Sequence, residues 1–545
     1  MNSRTWVAVI LCCLVWFVYM RWYAPVPPTE LNQQNPTAQT SGTEAGKPVA
    51  PAPQKSGTAA PVDSAAAANT LLPIGFIPGE DIKKTTQDLE ISFSKTGGKI
   101  SRLHTLTHRR SMEPGALSMP VLTPEDSPWE LATTFTENEL KKLDAQPYTV
   151  QEKGNSIVFT QTVPGAVSVY KEYTVSDGHY IPWKLVIKNL SAARKDWGYL
   201  YVPLGQVNPE FLGDVPVKAW EAVSYQDDTV TRHTVDKLGA VEWKQGKTGW
   251  LAFGNRYFST AVLPSGAMNP DVGFVKDSSW TGGVLRFPLV FGNQSELSFD
   301  FKVFAGPKDY DVLRTEKLGG LIDYGFFSFF AFPLLELLRF FYRFVHNYGL
   351  AIILLTLLVR ILFYPLSLKG YRSMKAMQKL QPQIAALKEK YKDDTQRFGQ
   401  EQMALFKTHK VNPAGGCLPM LVQLPVFIAL YAVLNSSVEL FHAPFYLWIK
   451  DLSAKDPFYV FPVLMGISMF VQQKMTPTPG MDPTQQKVML LMPIIFSFIM
   501  LNLPSGLTIY IFLSTLLGIL QQVSMNRDSD KASGVPVVTT VPSGK

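Results

Sequence analysis

The chain has 545 residues, 46% of them apolar and 12% aromatic, which excludes a disordered protein and leaves room for two or three domains. A formal net charge of +7 is too modest to read as a nucleic-acid footprint, so no nucleic-acid partner is expected. Its three cysteines, Cys12, Cys13 and Cys417, all lie in or beside apolar runs, so no disulfide framework is expected.

The first apolar run, 6–19, follows Arg4, precedes Arg21 and is rich in Trp and Val. It lacks a small-residue cleavage site of the A-x-A kind before Pro25. Residues 1–23 are therefore read as an uncleaved transmembrane anchor with its N-terminus inside. Residues 24–70 are rich in Pro, Ala, Gln, Thr and Gly and hold almost no large apolar side chain. Such a segment buries too little to offset the entropy of ordering, and it is read as a flexible tether.

From 71 to 308 the apolar residues alternate with period two. Val167, Val169, Tyr173 and Val175 share a face, Asp177-Gly178 supplies a turn, and 180–190 returns as a strand. Residues 250–253 with 257–263 predict another hairpin, and Leu297, Phe299, Phe301 and Val303 repeat the alternation. Strands this numerous, joined by Gly, Pro, Asn and Asp, predict a large all-β sandwich. His104, His108, His179 and His233 stand singly, each read as a surface or satisfied histidine. There is no H-E-x-x-H, no phosphate loop and no nucleophile elbow, so neither a catalytic residue nor a metal or cofactor site is expected.

Residues 323–345 place Glu336, Arg339 and Arg343 on one face of a helix whose remaining faces are Phe, Leu and Tyr. This predicts an amphipathic helix in the membrane interface, with a partly buried helix of the aqueous domain as the alternative. The core, 346–523, carries five further apolar runs at 350–368, 417–434, 458–471, 488–503 and 507–523. The third is short and is expected to extend through Gln472 and Gln473 or to cross thinned lipid. The loop 369–410 holds ten basic residues against four acidic, whereas 435–457 holds two against three. The basic loop is therefore placed inside, giving a six-span bundle with both termini cytoplasmic and the sandwich outside.

Within that loop, Met377, Leu380, Ile384 and Leu387 are spaced by three and four. Asp393 with Gln396 reads as a capping box for a second helix, so 370–411 is expected to form a helical hairpin. Its basic exterior reads equally as a solvated face or as a contact for lipid headgroups or a ribosome. Arg360 is the one charge within 350–368. Burying it costs at least about 2.5–3.5 kcal/mol, so it is expected to face a polar cavity. Thr356, Gln423, Thr508, Tyr510 and Ser514 are available to line one. With no intramembrane Asp or Glu as partner, the counter-charge is expected to arrive with a substrate. The alternative is an arginine satisfied by backbone carbonyls and water.

Several motifs carry a family resemblance: Val359-Arg360 before Tyr364-Pro365-Leu366, the run 411–419 with Asn412-Pro413 and Gly415-Gly416, Gln423-Leu424-Pro425, 443–453, Met492-Pro493 and Pro504-Ser505-Gly506. Residues 350–522 resemble the core of the YidC insertase family, and the order of anchor, tether, exported domain and core is similar to its Gram-negative branch. The resemblance implies a membrane protein insertase and chaperone of the inner membrane, acting on nascent membrane proteins alone or with the Sec translocon. It implies a five-span core enclosing a hydrophilic groove around Arg360, and a periplasmic β-supersandwich associated with the translocon's accessory subunits. A client's apolar segment would slide along the spans bearing Leu424, Phe427, Ile495 and Phe496 into the bilayer. Many relatives carry a strongly basic C-terminal tail, whereas 524–545 holds three basic residues against two acidic, so the hairpin is the expected ribosome contact. A solute transporter with a periplasmic accessory domain is the alternative, but the five runs show no inverted repeat.

Overall fold

A computed structural model describes residues 81–533, apart from interruptions at 114, 123–130, 207–219, 235–237, 239–240, 267–268, 277–279, 393, 410, 413–417 and 477–482. The expected anchor over 1–23, the tether over 24–70, residues 413–417 of the 411–419 run and the last part of the tail lie outside the described residues.

The period-two segments form antiparallel sheets. The largest has nine strands, running from Thr229–Thr234 through Glu221–Gln226, Thr248–Gly254, Phe258–Ser265, Glu296–Pro307, Tyr180–Asn189, Val167–Thr174 and Ser156–Val163 to Thr149–Lys153. A five-stranded sheet is built around Thr281–Val290 and Asp196–Gln206, and a four-stranded one comprises Asp81–Thr85 to Ser118–Leu122. Alternation decides which side chains enter the core. Along Val167–Thr174 every second residue is buried, and Leu297, Phe299, Phe301 and Val303 go inward together. The expected hairpin pairs Leu251 with Val262 and Phe253 with Thr260.

Between the sheets, aromatic rings interlock. Trp183 stacks on Tyr173 at 5.5 Å and on Phe301 at 4.6 Å, and Phe287 meets Phe301 edge-on at 5.6 Å. Each such ring contributes roughly 1.5–3 kcal/mol by burial. The outer face of the nine-stranded sheet is covered by Leu313, Leu318 and Leu321, which pack on Trp250, Leu263 and Phe304. The chain that leaves the last strand therefore stays on the sandwich before turning toward the helices.

The helical part begins with α1 (Ser328–Val345), which buries Ala331, Leu334, Leu335 and Leu338 and exposes Phe329, Phe340 and Phe344. His346, in the left-handed region, ends it, and the Asn347 side chain accepts from Leu350 N at 3.1 Å to cap α2 (Tyr348–Lys379). At 32 residues α2 is about 48 Å long, more than a hydrocarbon core requires. It thus carries the apolar run 350–368 and the first part of the basic loop on one rod.

Pro382 cannot donate a backbone hydrogen bond and disfavours helix before it, and the rod breaks at Leu380. The short helix α3 (Gln381–Lys390) and α4 (Thr395–Thr408) then form the hairpin. The cap of α4 is Asp394, accepting from Arg397 N at 2.9 Å, one residue beyond the expected Asp393. Four further helices follow: α5 (Leu418–Ser436), α6 (Val460–Met475), α7 (Pro483–Met500) and α8 (Ser505–Ser533). As expected from its short apolar run, α6 continues through Gln472 and Gln473.

Among the described residues, three helices are long and apolar enough to cross a membrane: Gly325–Val345, Tyr348–Lys379 and Ser505–Met525. The stretch expected to lie in the interface is one of them. Outward faces of the bundle are apolar, with Ile361 and Leu362 on α2, Ile467 on α6 and Phe498 and Ile499 on α7 all exposed.

Candidate functional site

Arg360 enters the bundle from the middle of α2, where α8 faces it. Its Nη2 donates to the Ser514 carbonyl and, at 2.7 Å, to Ser514 Oγ. A helical carbonyl already accepts from the amide four residues on, here Gly518, but its second lone pair remains free for the guanidinium. Gly518 also makes the approach possible. A Cβ there would lie 3.5–3.6 Å from the two Arg360 Nη atoms and only 2.7 Å from Gln472 Nε2 on α6. The absent side chain leaves room for both polar groups between α6 and α8.

The rest of the site comes from α5 and from the turn of α8 before Ser514. Tyr510 lies beside Arg360, Ser514 and Gln423, and its ring is 6.2 Å from that of Phe427. The structure thus brings together Arg360, Ser514, Tyr510, Gln423 and Phe427 from three helices. Arg360 Nε is buried without a hydrogen-bond partner, and among the described residues no carboxylate faces the guanidinium. A cation with an unused donor and a backbone carbonyl as neighbour is incompletely neutralised, which favours an incoming acceptor.

Other side chains named from sequence behave differently. Thr356 and Thr508 are buried, but their hydroxyls donate to Ile352 O at 2.6 Å and Ser505 O at 2.9 Å on their own helices. Phe427 and Phe496 are half-buried against the bundle core, whereas Leu424 and Ile495 are exposed. In the hairpin, Leu380 and Ile384 are buried with Phe406, and Met377 packs on them. Leu387, one turn further along α3 than Ile384, is only half-buried and stands outside that cluster.

Two features escaped the sequence reading. The sequence offers Gln472 only as a helix extension, since packing across helices is what brings it near Arg360. The second is an ionic hub outside the bundle. Arg339 on α1 donates to Glu439 Oε1 from Nη2 at 2.6 Å and from Nε at 3.0 Å, and also meets Asp311 at 3.0 Å and Asp309 at 3.4 Å. Of the single histidines, His179 and His233 each keep a buried ring nitrogen without a partner. No group of three or more His, Cys, Asp or Glu side chains suited to a metal occurs among the described residues.

Comparison with known proteins gives concordant matches over both parts of the chain. A family described as "60Kd inner membrane protein" matches residues 340–532, and one described as "YidC periplasmic domain" matches 81–337. A membrane protein insertase YidC of Syntrophus aciditrophicus is 37% identical over 97% of this chain and 100% of its own length. One from Citrifermentans bemidjiense is 41% identical over 68% of this chain and 70% of its own. Among solved structures, an active YidC insertase with its first transmembrane domain resolved aligns at 22% identity and a TM-score of 0.36, covering 83% of this chain and 94% of that one.

Proposed function

Since this chain belongs to the YidC family of membrane protein insertases, we propose that Arg360, with Ser514, Tyr510, Gln423 and Gln472 around it, is the place where a client's polar tail is received. The chain is an inner-membrane insertase of nascent membrane proteins with a periplasmic sandwich domain. The observation that carries the site assignment is the state of Arg360: half-buried, hydrogen-bonded to Ser514, and with a buried Nε that has no partner among the described residues. A guanidinium held in low dielectric attracts an acidic or carbonyl-rich segment far more strongly than one in water.

Insertion then follows by partition. The tail is held at the arginine while the client's apolar segment, in contact with Leu424, Phe427, Ile495 and Phe496, moves into lipid. Neither step requires nucleotide hydrolysis. The charge balance of the loops orients the core with the hairpin and both termini cytoplasmic, in six spans, and the sandwich outside. The amphipathic α1 lies at the outer interface, exposing Phe329, Phe340 and Phe344 toward lipid. The hairpin, basic and internally packed, is the surface offered to a ribosome, and the sandwich is the surface offered to Sec translocon subunits.

The test is protease protection of paired clients, one acidic-tailed and one neutralised, in cells depleted of the native protein. Arg360→Ala should fail most with the acidic tail, and Arg360→Lys should retain much activity, because an ammonium still supplies charge and donors. Equal insertion of every client by wild type and Arg360→Ala would remove the arginine from the mechanism.

A further inference from the structure

The sequence presents the sandwich as an accessory on a tether, yet three separate contacts join it and its exit segment to one short stretch, 437–442, just past the end of α5. The first is aromatic. Phe441 lies 5.1 Å from Tyr257, 5.4 Å edge-on from Phe258 and 6.2 Å from His108, all on the sandwich, with Val438 buried beside them. The cage is rigid, because Asn255 Oδ1 accepts from the amides of both Tyr257 and Phe258 at 2.9 Å, and Lys308 N donates to Tyr257 O at 2.7 Å. The second contact is ionic, the Arg339 hub that binds Glu439 to Asp309 and Asp311 at the sandwich's exit. The third is a long hydrogen bond between the Tyr324 hydroxyl and Ser437 Oγ at 3.5 Å.

We propose that Phe441 is a positioning residue, seated in the cage of His108, Tyr257 and Phe258, through which the exported domain braces the outer end of α5. The helix so held is the one that carries Gln423 and Phe427 beside Arg360. A helix fixed at its end by a caged ring transmits position as far as its backbone hydrogen bonds run unbroken. Pro425, the proline inside the helix, interrupts that ladder between Gln423 and Phe427, so the brace sets where the segment bearing Phe427 sits. The consequence for insertion rests on the insertase reading above. The contact itself does not.

The experiment uses the full-length protein in lipid vesicles, with amide exchange read at 437–442 and at Phe258–Ser265, and insertion of a small client read in parallel. Phe441→Ala removes all three ring contacts of the cage and should speed exchange of 437–442 by roughly tenfold or more. Insertion should slow several-fold, and Phe441→Tyr should restore both readings. His108→Ala, which opens the cage from the sandwich side, should produce the same pair of changes to a smaller degree. Unchanged exchange in Phe441→Ala would overturn the brace, and faster exchange with insertion at the wild-type rate would overturn its positioning role. If wild type inserts no more client than protein-free vesicles, the insertase reading has failed and the positioning role falls with it, while exchange still decides the contact.

Discussion

Removing charge from the Arg339 hub should be asymmetric, and the structure says by how much. Arg339 and Glu439 have side chains 11% and 8% exposed, joined through Glu439 Oε1 at 2.6 and 3.0 Å. In Glu439→Gln the guanidinium keeps Asp311 at 3.0 Å and Asp309 at 3.4 Å, so it is not stranded. The loss is then the difference between charged and neutral hydrogen bonds, about 1–2 kcal/mol. Arg339→Met instead strands a buried carboxylate, which costs about 3–5 kcal/mol if it stays ionised. Burial already lifts the Glu439 carboxyl above its ordinary range against the pull of Arg339. Without the arginine it rises further, and a carboxyl raised in the folded state contributes stability that is present below its unfolded value and lost as pH rises. The Arg339→Met deficit should therefore grow upward from about pH 4.3. Thermal midpoints at a fixed scan rate in lipid nanodiscs measure this. Arg339→Met should melt below Glu439→Gln, and the pair Arg339→Met with Glu439→Leu should recover part of the loss. A Glu439→Gln protein as damaged as Arg339→Met, or a double variant worse than either, would refute the reasoning.

Three further outcomes follow from the same structure. In the hairpin, Leu380→Asp or Ile384→Asp buries a charge against Phe406 and should impair insertion, whereas truncation after Arg527 should be mild; a more damaging truncation would move the docking surface to the tail. In the sandwich, Lys171 is 1% exposed, donates to Gly97 O at 2.5 Å, and is held below its ordinary value by burial while Asp144 partly offsets that. Asp144→Ala should destabilise the fold more than Lys171→Met, because it leaves the buried ammonium with the Gly97 carbonyl and without the nearby carboxylate. A base depressed in the folded state loses stability as pH falls, so the Asp144→Ala deficit should shrink in alkaline melts followed by tryptophan fluorescence. At the brace, burial lowers His108, which faces His179, His442 and Asp309, and also lowers His179, which faces Asp88 and Asp309, and His442, which faces Asp451. By the same sign, the contact should be firm above about pH 6.5 and weaken below it, and intrinsically corrected exchange of 437–442 that stays flat from pH 7 to 5 would contradict this.

How much of this was legible depends on whether the determining interaction is local. The strand faces of Val167–Thr174 and Glu296–Pro307 follow from alternation alone, because one buried face fixes the register. Arg360 was legible for the opposite reason: a single charge in an apolar run has few places to go. The break at Leu380 was also written in the sequence, in Pro382, but the spacing of Met377, Leu380, Ile384 and Leu387 imitates one continuous seam. What the sequence could not supply is contact between distant segments. Gln472 reaches the arginine's neighbourhood only because Gly518 leaves space on a facing helix, and Arg339 meets Glu439 one hundred residues away. Phe441 has no local signature at all, since its cage is assembled from residues near 108 and 257.

The most direct test of the account places a photo-crosslinking side chain at Gln423, inside the site, and in a second variant at Phe498, on the exposed face of α7, against a ribosome-stalled client. The Gln423 probe should capture the client's polar tail, and should lose most of that product when Arg360 is also changed to Ala and the tail is acidic. The Phe498 probe, one turn from Ile495 on the same exposed face, should capture lipid and the client's apolar segment but not its polar tail. Capture of the tail at Phe498 with none at Gln423 would contradict a polar receiving site around Arg360.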